Sequence, residues 1–382
     1  MNTAPFLLRR FFFRLSTVVY LAASGAAIAG GNAVVIGQSI DLSGPNAAIG
    51  RDYVAGIKTY FDALNASGGL NGKRVQLVMR DDFGRADGAV KAVTELIERD
   101  QIDYLFGGVG DVATQAILNA PVFKQSGHIL FAPLASATQG KQQPVLFWRP
   151  SQKQEIQHIF AHFSKLGIQN VGVVLQNAEA NQDAQRTLTN EIRERGMKLT
   201  ATANIGSSGG GGDVIAAEAA RLAQTKPGFV VVIADTIGTS LFLKEFRKHD
   251  AQTFVAGTSL INLSTLRELA GARAVEWTVF SQVVPNPNAG TSPIQMEHLS
   301  MMKKYRDETV SSLTLEGFAA AKSLAKTILL SKKGGRGAVH DLMAQNGDID
   351  LGGLSIVSTA KSNHLSSYVD IALFKKGSGL MF

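Results

Sequence analysis

The sequence predicts an α/β protein made of two doubly wound parallel-sheet lobes. Short apolar runs alternate with segments whose apolar residues recur at i, i+3 and i+4. This alternation is typical of βα units, which build parallel sheets covered by helices on both faces. One series of units precedes Trp148-Arg149-Pro150 and another follows it. Gln282-Val283-Val284-Pro285-Asn286-Pro287 is interpreted as a crossing back to the first lobe.

The first series begins with residues 34–38, whose apolar character indicates a buried strand. Residues 50–66 are predicted as a helix because Val54, Ile57 and Phe61 share one face, and the glycine-rich segment 68–72 as a turn. The other predicted elements are strands at 75–79, 103–107 and 128–132, a helix at 86–99, and a helix at 114–126 that is interrupted near Pro121.

The second series repeats this pattern. It predicts helices at 156–166, 183–195 and 239–249 and strands at 171–175, 229–234 and 254–257. After the crossing, residues 318–330 form a strongly apolar predicted helix. Two short apolar runs, 354–357 and 368–374, predict a strand pair at the end of the chain.

The amino-acid composition excludes several classes of function for this protein. The 382 residues suffice for two domains, and 45% hydrophobic with 18% charged residues indicates a globular protein. The net charge is +7, and three of the positive charges lie in residues 1–29, so the remainder carries a mild excess of about +4. No dense basic run with interleaved aromatics is present, so nucleic-acid binding is not expected. The absence of cysteine excludes disulfides, thiolate zinc sites, a catalytic thiol and a lipid anchor on an N-terminal cysteine.

Residues 1–29 are predicted to be a signal peptide. Arg9, Arg10 and Arg14 form a positive segment, residues 15–28 are mainly apolar or small, and Ala27-Ile28-Ala29 fits a cleavage site. A membrane anchor is the alternative, but the apolar stretch is short for a span. The paired arginines before Phe11-Phe12-Phe13 also fit a twin-arginine export signal. The mature protein is expected in a bacterial periplasm.

Motifs for catalysis are weak. A dinucleotide-binding glycine pattern is matched by Gly108-Val109-Gly110-Asp111-Val112-Ala113, which follows a predicted strand. This segment lies outside the first βα unit, where that pattern belongs. A tight turn at a cleft is therefore the favoured interpretation. Asp81-Asp82 is interpreted as a capping pair rather than a metal or acid–base site. The histidines lack ligand spacing, and no Gly-x-Ser-x-Gly elbow occurs. We therefore expect no enzyme activity, cofactor or metal.

The chain resembles the branched-chain amino-acid (Leu/Ile/Val-type) class of periplasmic substrate-binding proteins of ABC transporters. The matching segments occur in order along nearly the whole mature chain. They are residues 36–45, 65–72, 80–82, 132–137, 282–285, 315–321 and 350–353.

The resemblance implies the periplasmic binding protein type I fold, with two lobes joined by three hinge crossings. We expect lobe 1 to contain residues 30–150 and 283–335, and lobe 2 residues 151–282 and 336–382. The implied function is to capture a small molecule between the lobes and deliver it to the membrane permease of an ABC importer. A ligand sensor of the same fold that signals to a membrane receptor or regulator is the alternative. The protein is expected to be a monomer.

The resemblance also implies a ligand pocket with residues from both lobes. On the first lobe these are Ser43, Ile49, Asp111, Thr114, Ala135 and Ser136. On the second lobe they are Gln152, Ala180, Asp235, Thr236 and Thr258.

Several of these positions depart from the pattern of the family. Amino-acid binders of this class usually carry a small hydroxyl residue where Asp111 stands, and an ionised Asp there would repel a ligand carboxylate. Ile49 and Ala180 stand where aromatics often contact the ligand, and Thr258 where an acid often holds the ammonium group. The sequence therefore predicts a ligand other than a standard branched-chain amino acid.

Overall fold

The protein is described by a computed structural model. It covers residues 33–136, 143–179, 181–206, 211–331, 333, 336–344, 347–359, 362–375 and 379–382. The predicted signal peptide, residues 1–29, lies outside these described residues. Within them, none of the helices combines the length and apolar character needed to cross a membrane.

The first lobe is built on a five-stranded parallel sheet. Its strands run in the spatial order second, first, third, fourth and fifth, so the chain winds outward in both directions from near the middle. The elements in chain order are β1 (Ala33–Ile40), α1 (Ala47–Ala66), β2 (Arg74–Asp81), α2 (Ala86–Glu98), β3 (Tyr104–Phe106), α3 (Asp111–Asn119), α4 (Pro121–Ser126), β4 (Leu130–Phe131) and β5 (Val145–Leu146).

The second lobe repeats this architecture with five parallel strands. The elements are α5 (Gln152–Lys165), β6 (Asn170–Leu175), α6 (Gln182–Glu194), β7 (Lys198–Asn204), α7 (Gly212–Gln224), β8 (Phe229–Ile233), α8 (Thr236–Phe246), β9 (Phe254–Gly257), α9 (Leu263–Ala270) and β10 (Thr278–Gln282). β8 and β10 are buried along their whole length, and β6 at all residues after Asn170, because helices cover both faces of the sheet.

The chain then returns to the first lobe and crosses once more before it ends. The remaining elements are α10 (Pro293–Tyr305), α11 (Ser312–Leu330), α12 (Gly337–Ala344), β11 (Gly347–Asp350), β12 (Ser355–Ser358), β13 (Asp370–Lys375) and β14 (Gly379–Met381). β13 extends the second sheet antiparallel to β10, and β14 pairs antiparallel with β13.

The last crossing falls later than the sequence suggested. Residues 337–358 were expected in lobe 2, but Val339, Leu342 and Ile356 are buried in the same apolar core as Ile36 and Phe318 of lobe 1. The crossing therefore lies between β12 and β13.

The two C-terminal runs that were predicted to form a strand pair do not pair with each other, because β12 pairs with β11 while β13 joins the second sheet.

Helices α1 and α11 pack backbone to backbone in the first lobe. A methyl group added at Gly56 would lie 1.9 Å from the carbonyl oxygen of Thr314, and one at Gly317 would lie 2.2 Å from that of Tyr53. The rings of Tyr60 and Phe318 meet edge to face beside this contact, with centroids 5.2 Å apart. Any side chain at either glycine would force the helices apart.

A buried polar network joins the lobes where the chain first crosses between them. The guanidinium of Arg149 donates from Nε and Nη2 to the two carboxylate oxygens of Glu316 on α11, both at 3.0 Å, and from Nη2 to Ser259 Oγ of lobe 2 at 3.0 Å. Glu155 on α5 accepts from Ser259 N at 2.8 Å and from Ser281 Oγ at 2.6 Å. Burial disfavours the charge, but the Glu316 and Glu155 carboxylates hold the pKa of Arg149 above its ordinary value. We call these five residues the hinge network.

The close contact of α1 and α11 predicts that Gly56→Ala is destabilising. Overpacking of a tight core costs about 1–3 kcal/mol, and here the obstacle is backbone that cannot rotate away. The matched control is Gly212→Ala at the start of α7, where nothing lies within 4 Å of the added methyl. Urea unfolding should show a loss for the first variant and no loss for the control. Equal stability of the two variants would contradict the close packing.

Loss of one partner of the Arg149–Glu316 pair should be strongly destabilising. Arg149→Met leaves a buried carboxylate without its cation, which costs about 3–5 kcal/mol in the free energy of unfolding. The double variant Arg149→Met/Glu316→Leu should recover part of that loss because the carboxylate that Arg149 pairs with directly is removed, while Glu155 keeps its hydrogen bonds from Ser259 and Ser281. Arg85→Ala, which breaks the exposed Arg85–Asp87 pair, is the control and should leave unfolding unchanged. A double variant that is no more stable than the single one would refute the electrostatic explanation.

Candidate functional site

A cleft of about 370 Å³ lies between the two lobes, at the carboxyl ends of their parallel strands. Its walls are loops and helix starts that follow β1 to β4 in the first lobe and β6, β8 and β9 in the second. Ligands of open parallel sheets bind at these strand ends. The described lining residues are Asn46, Ile49, Gly84, Val109, Gly110, Asp111, Val112, Ala113, Leu134, Ser136, Gln152, Gln176, Asn177, Asn181, Ile233, Ala234, Asp235, Thr258 and Leu260.

Acidic side chains shape the loop that brings Asn46 to the cleft. Asp41 accepts hydrogen bonds from the backbone N–H groups of Gly44 at 2.5 Å and Asn46 at 2.9 Å. Asp81 accepts from Leu42 N at 3.0 Å and Ser43 Oγ at 2.5 Å. Burial alone would raise the pKa of Asp81, but these bonds outweigh it and lower the pKa. The carboxylates therefore act as fixed acceptors that hold the loop in shape.

Asp111 joins two strand-end loops of the first lobe. It is the first residue of α3 and follows Gly110, whose φ of +97° suits glycine. Its Oδ1 accepts a hydrogen bond from the backbone N–H of Ser136, beyond β4, at 2.7 Å. A carboxylate is favourable at this position because the N-terminus of a helix carries partial positive charge.

Asp235 has a similar place in the second lobe. It precedes α8 and caps it, since Oδ1 accepts from Gly238 N at 2.7 Å. Gln176, the residue after β6, donates from Nε2 to Asp235 Oδ2 at 3.0 Å and accepts from Asp235 N at 2.8 Å. Asn181 donates from Nδ2 to the carbonyl oxygen of Gln176 at 2.7 Å, which ties a third loop residue to the pair. Neighbouring strand ends are thereby locked together.

The cleft contains some of the residues expected from the sequence but not others. Those that line it are Ile49, Asp111, Ser136, Gln152, Asp235 and Thr258. Ala180 lies outside the described residues.

Four expected residues do not line the cleft. Ser43 is exposed and bonded to Asp81, and Ala135 is buried in the apolar core beneath α3. Thr114 is buried on α3, and Thr236 is buried with its Oγ accepting from Asn262 N at 3.1 Å. For Thr114 and Thr236, adjacency in sequence to a strand end did not place the side chain in the cleft, because helix periodicity turned it toward the core.

Several amide side chains that were not predicted from the sequence also line the cleft. Asn46, Gln176, Asn177 and Asn181 all line it. A usable signal was present, since Gln176-Asn177 directly follows the apolar run of β6, and polar residues after a buried parallel strand mark the ligand edge of a sheet.

The cleft is acidic and amide-rich. Asp111 and Asp235 contribute carboxylates from opposite lobes, and no Lys, Arg or His belongs to its described lining. The described part of the chain also holds no group of three or more His, Cys, Asp or Glu suited to a metal ion. The arrangement is suited to hydrogen bonding and charge recognition of an organic solute.

A second cavity of about 280 Å³ lies against the crossing that follows β10. Its lining includes Gln282, Asn286, Ser312, Arg267 and the terminal Phe382. None of its described first-lobe residues follows a strand of the first sheet, so it lacks the strand-end geometry of the larger cleft. The larger cleft is therefore the candidate site.

Comparison with known families agrees with this architecture. A model of the periplasmic binding protein family matches residues 33–378, and the chain belongs to that family of substrate-binding proteins. Leu/Ile/Val-binding protein homolog 1 of Brucella melitensis is 25% identical to the chain over 325 residues, which cover 79% of this chain and 82% of that protein.

Solved structures show the same fold, periplasmic binding protein type I. A substrate-binding periplasmic protein from Ralstonia solanacearum has a TM-score of 0.81 and 26% identity, over 91% of this chain and 99% of that one. The branched-chain amino acid transporter substrate-binding protein LivJ from Streptococcus pneumoniae, solved with isoleucine, has a TM-score of 0.78 at 19% identity, over 91% and 97% of the two chains. The predicted family and fold class are thus confirmed.

The two roles of Asp235, helix cap and cleft carboxylate, can be separated by substitution. Asp235→Ala removes the acceptor for Gly238 N and should lower the free energy of unfolding by about 1 kcal/mol. Asp235→Asn keeps an acceptor oxygen and should cost distinctly less, although it also removes the negative charge. Denaturant unfolding of the two variants measures the difference. Equal losses would show that the cap contributes nothing.

Proposed function

We propose that this protein is a periplasmic solute-binding protein that captures a small molecule between its two lobes and delivers it to the membrane permease of an ABC importer. The cleft formed by strand ends of both lobes carries the proposal. A molecule held there contacts both lobes at once, so binding favours the closed arrangement. Membership of the periplasmic binding protein family supports the same function.

The proposal extends to location and assembly. We infer that residues 1–29 direct export and are removed near Ala29, and that the mature chain acts as a monomer in the periplasm. A monomer presents both lobes to the permease, which can then distinguish the closed, loaded form from the open one. The pocket is proposed to contain Ile49, Asp111, Ser136, Gln152, Asp235 and Thr258, and its ligand to be other than a standard branched-chain amino acid.

Filling the cleft should abolish capture without unfolding the protein. Val112 lines the cleft and is 64% exposed, so Val112→Trp adds bulk in the cleft without disturbing the core. The matched control is Val214→Trp on α7, an exposed valine outside the cleft lining. Native mass spectrometry should find a small molecule on the wild-type and control proteins and not on Val112→Trp. Calorimetry with that molecule should show at least tenfold weaker binding to Val112→Trp.

Delivery is tested in cells that lack the gene. Uptake of the labelled molecule should be lost, then restored by the wild type and Val214→Trp but not by Val112→Trp. Normal uptake with loss of a transcriptional response would favour the sensor function instead. Absence of any bound molecule, with no thermal shift across a metabolite library, would refute solute capture itself.

A further inference from the structure

We propose that the second cavity, at the crossing that follows β10, is a binding site for a compact organic anion in which a carboxylate is joined to an aromatic or branched apolar group. The site is distinct from the larger cleft, and the inference does not depend on what the larger cleft binds. It follows from the position of the cavity between the lobes, from a guanidinium without a partner in its wall, and from the apolar side chains of the same wall.

The second cavity is bounded by both lobes and by the chain that joins them. The first lobe contributes Asp52 of α1 and the start of α11. The second lobe contributes the segment after β9 and residues of β13 and β14. Gln282 and Asn286 belong to the crossing itself. A molecule held in this cavity therefore contacts both lobes.

The segment between β9 and α9 separates this cavity from the larger cleft. Thr258 and Leu260 line the larger cleft, whereas Ser259 and Ile261 line the second cavity. Such alternation is the pattern of extended backbone, so one stretch of chain forms a wall of each site. Ser259 Oγ also accepts a hydrogen bond from Arg149 in the hinge network. An occupant of the second cavity therefore lies against the hinge.

Arg267 supplies the charge that an anion requires. It lines the cavity from α9, is exposed, and makes neither a hydrogen bond nor an ion pair through its guanidinium to any residue that the structure describes. A guanidinium presents its N–H donors in a planar fork that matches a carboxylate. The side-chain amides of Asn262 and Asn288 belong to the same lining and can add N–H donors. A ligand carboxylate would thus satisfy a cation that the fold leaves unused.

Asp52 is the only acidic side chain in the described lining, and it is engaged elsewhere. It belongs to the first lobe, whereas Arg267 belongs to the second, and its carboxylate accepts from Ser311 Oγ at 3.0 Å. Burial raises the pKa of Asp52 above its ordinary value, which favours the neutral form and weakens repulsion of a ligand anion.

Apolar side chains define the remainder of the ligand. Leu263 and Leu313 line the cavity from opposite lobes, and the rings of Phe374 and Phe382 belong to the same lining. An aromatic or branched alkyl group would pack against these side chains, and an aromatic ring would gain further from contact with the phenylalanines. The volume of about 280 Å³ limits the ligand to a compact molecule.

Two matched ligand pairs test the charge and the shape. 3-Phenylpropionate and 3-phenylpropanamide differ in charge but hardly in shape, as do 4-methylpentanoate and 4-methylpentanamide. Isothermal titration calorimetry of the purified protein should show at least tenfold tighter binding of the carboxylate in at least one pair. Arg267→Gln should abolish that preference, and Arg267→Lys, which keeps the positive charge, should retain part of it. Arg273→Gln, at an exposed arginine outside the cavity lining, is the control and should bind like the wild type.

Two further measurements locate the bound carboxylate. Val112→Trp obstructs the larger cleft and should leave carboxylate binding unchanged. Hydrogen exchange in the segment between β9 and α9 should slow when the carboxylate binds to the wild type, and this slowing should be absent in Arg267→Gln.

The contrary outcomes are distinct. Equal or tighter binding of the amides, or no binding of either carboxylate, overturns the ligand class. Loss of binding in Val112→Trp, unchanged binding in Arg267→Gln, or unchanged exchange in the segment between β9 and α9 overturns the location. Solute capture in the larger cleft would stand in each of these cases.

Discussion

The buried ion pair between Arg149 and Glu316 is the interaction on which the relation of the two lobes depends. Both side chains are 2% exposed, so each charge has lost its water and depends on the other for compensation. Ser259 connects the guanidinium to the second lobe, and Glu155 connects Ser259 to Ser281 near the carboxyl end of β10. A crossing fastened in this way resists sliding because any displacement would leave a charge unpaired.

The first and last chain crossings between the lobes are also joined to each other. Phe147 donates to the carbonyl oxygen of Asn363 and accepts from Leu365 N, both at 2.8 Å, so the first and last crossings are bonded to each other. The ring of Phe147 stacks on His364, with centroids 4.7 Å apart. A relative rotation of the lobes would bend these joined segments together.

The cleft depends on the same rigidity. Its side chains sit on strand-end loops that are held by internal carboxylates, with Asp41 and Asp81 fixing the first loop and Asp235 fixing the link between β6 and β8. Carboxylate oxygens that accept hydrogen bonds from nearby donors stand in both walls of the site, with Asp111 in the first lobe and Asp235 in the second.

Local pattern was sufficient for some of the strands that are buried on both faces but not for β10, where Thr278, Ser281 and Gln282 break the apolar run. β6 and β8 are continuous apolar runs, so their positions follow from sequence alone. The edge strand β7 was not predicted, because Lys198–Asn204 is partly exposed and lacks a clear apolar pattern. β4 is shorter than the predicted strand 128–132 and contains only Leu130–Phe131. α3 begins at Asp111 rather than at residue 114, because the start of a helix depends on the preceding turn.

What the sequence by itself determined was the alternation of strands and helices, the two lobes, and the strand ends at which a site would form. Asp111, Ser136, Asp235 and Thr258 were indicated by the resemblance to the family, and each of them lines the cleft. Only the tertiary structure decided which neighbouring side chains face the cleft, as with Thr114 and Thr236, which turn inward. It also decided the assignment of residues 337–358 to the first lobe and the partner of Arg149. These depend on contacts between residues far apart in the chain, which no local pattern encodes.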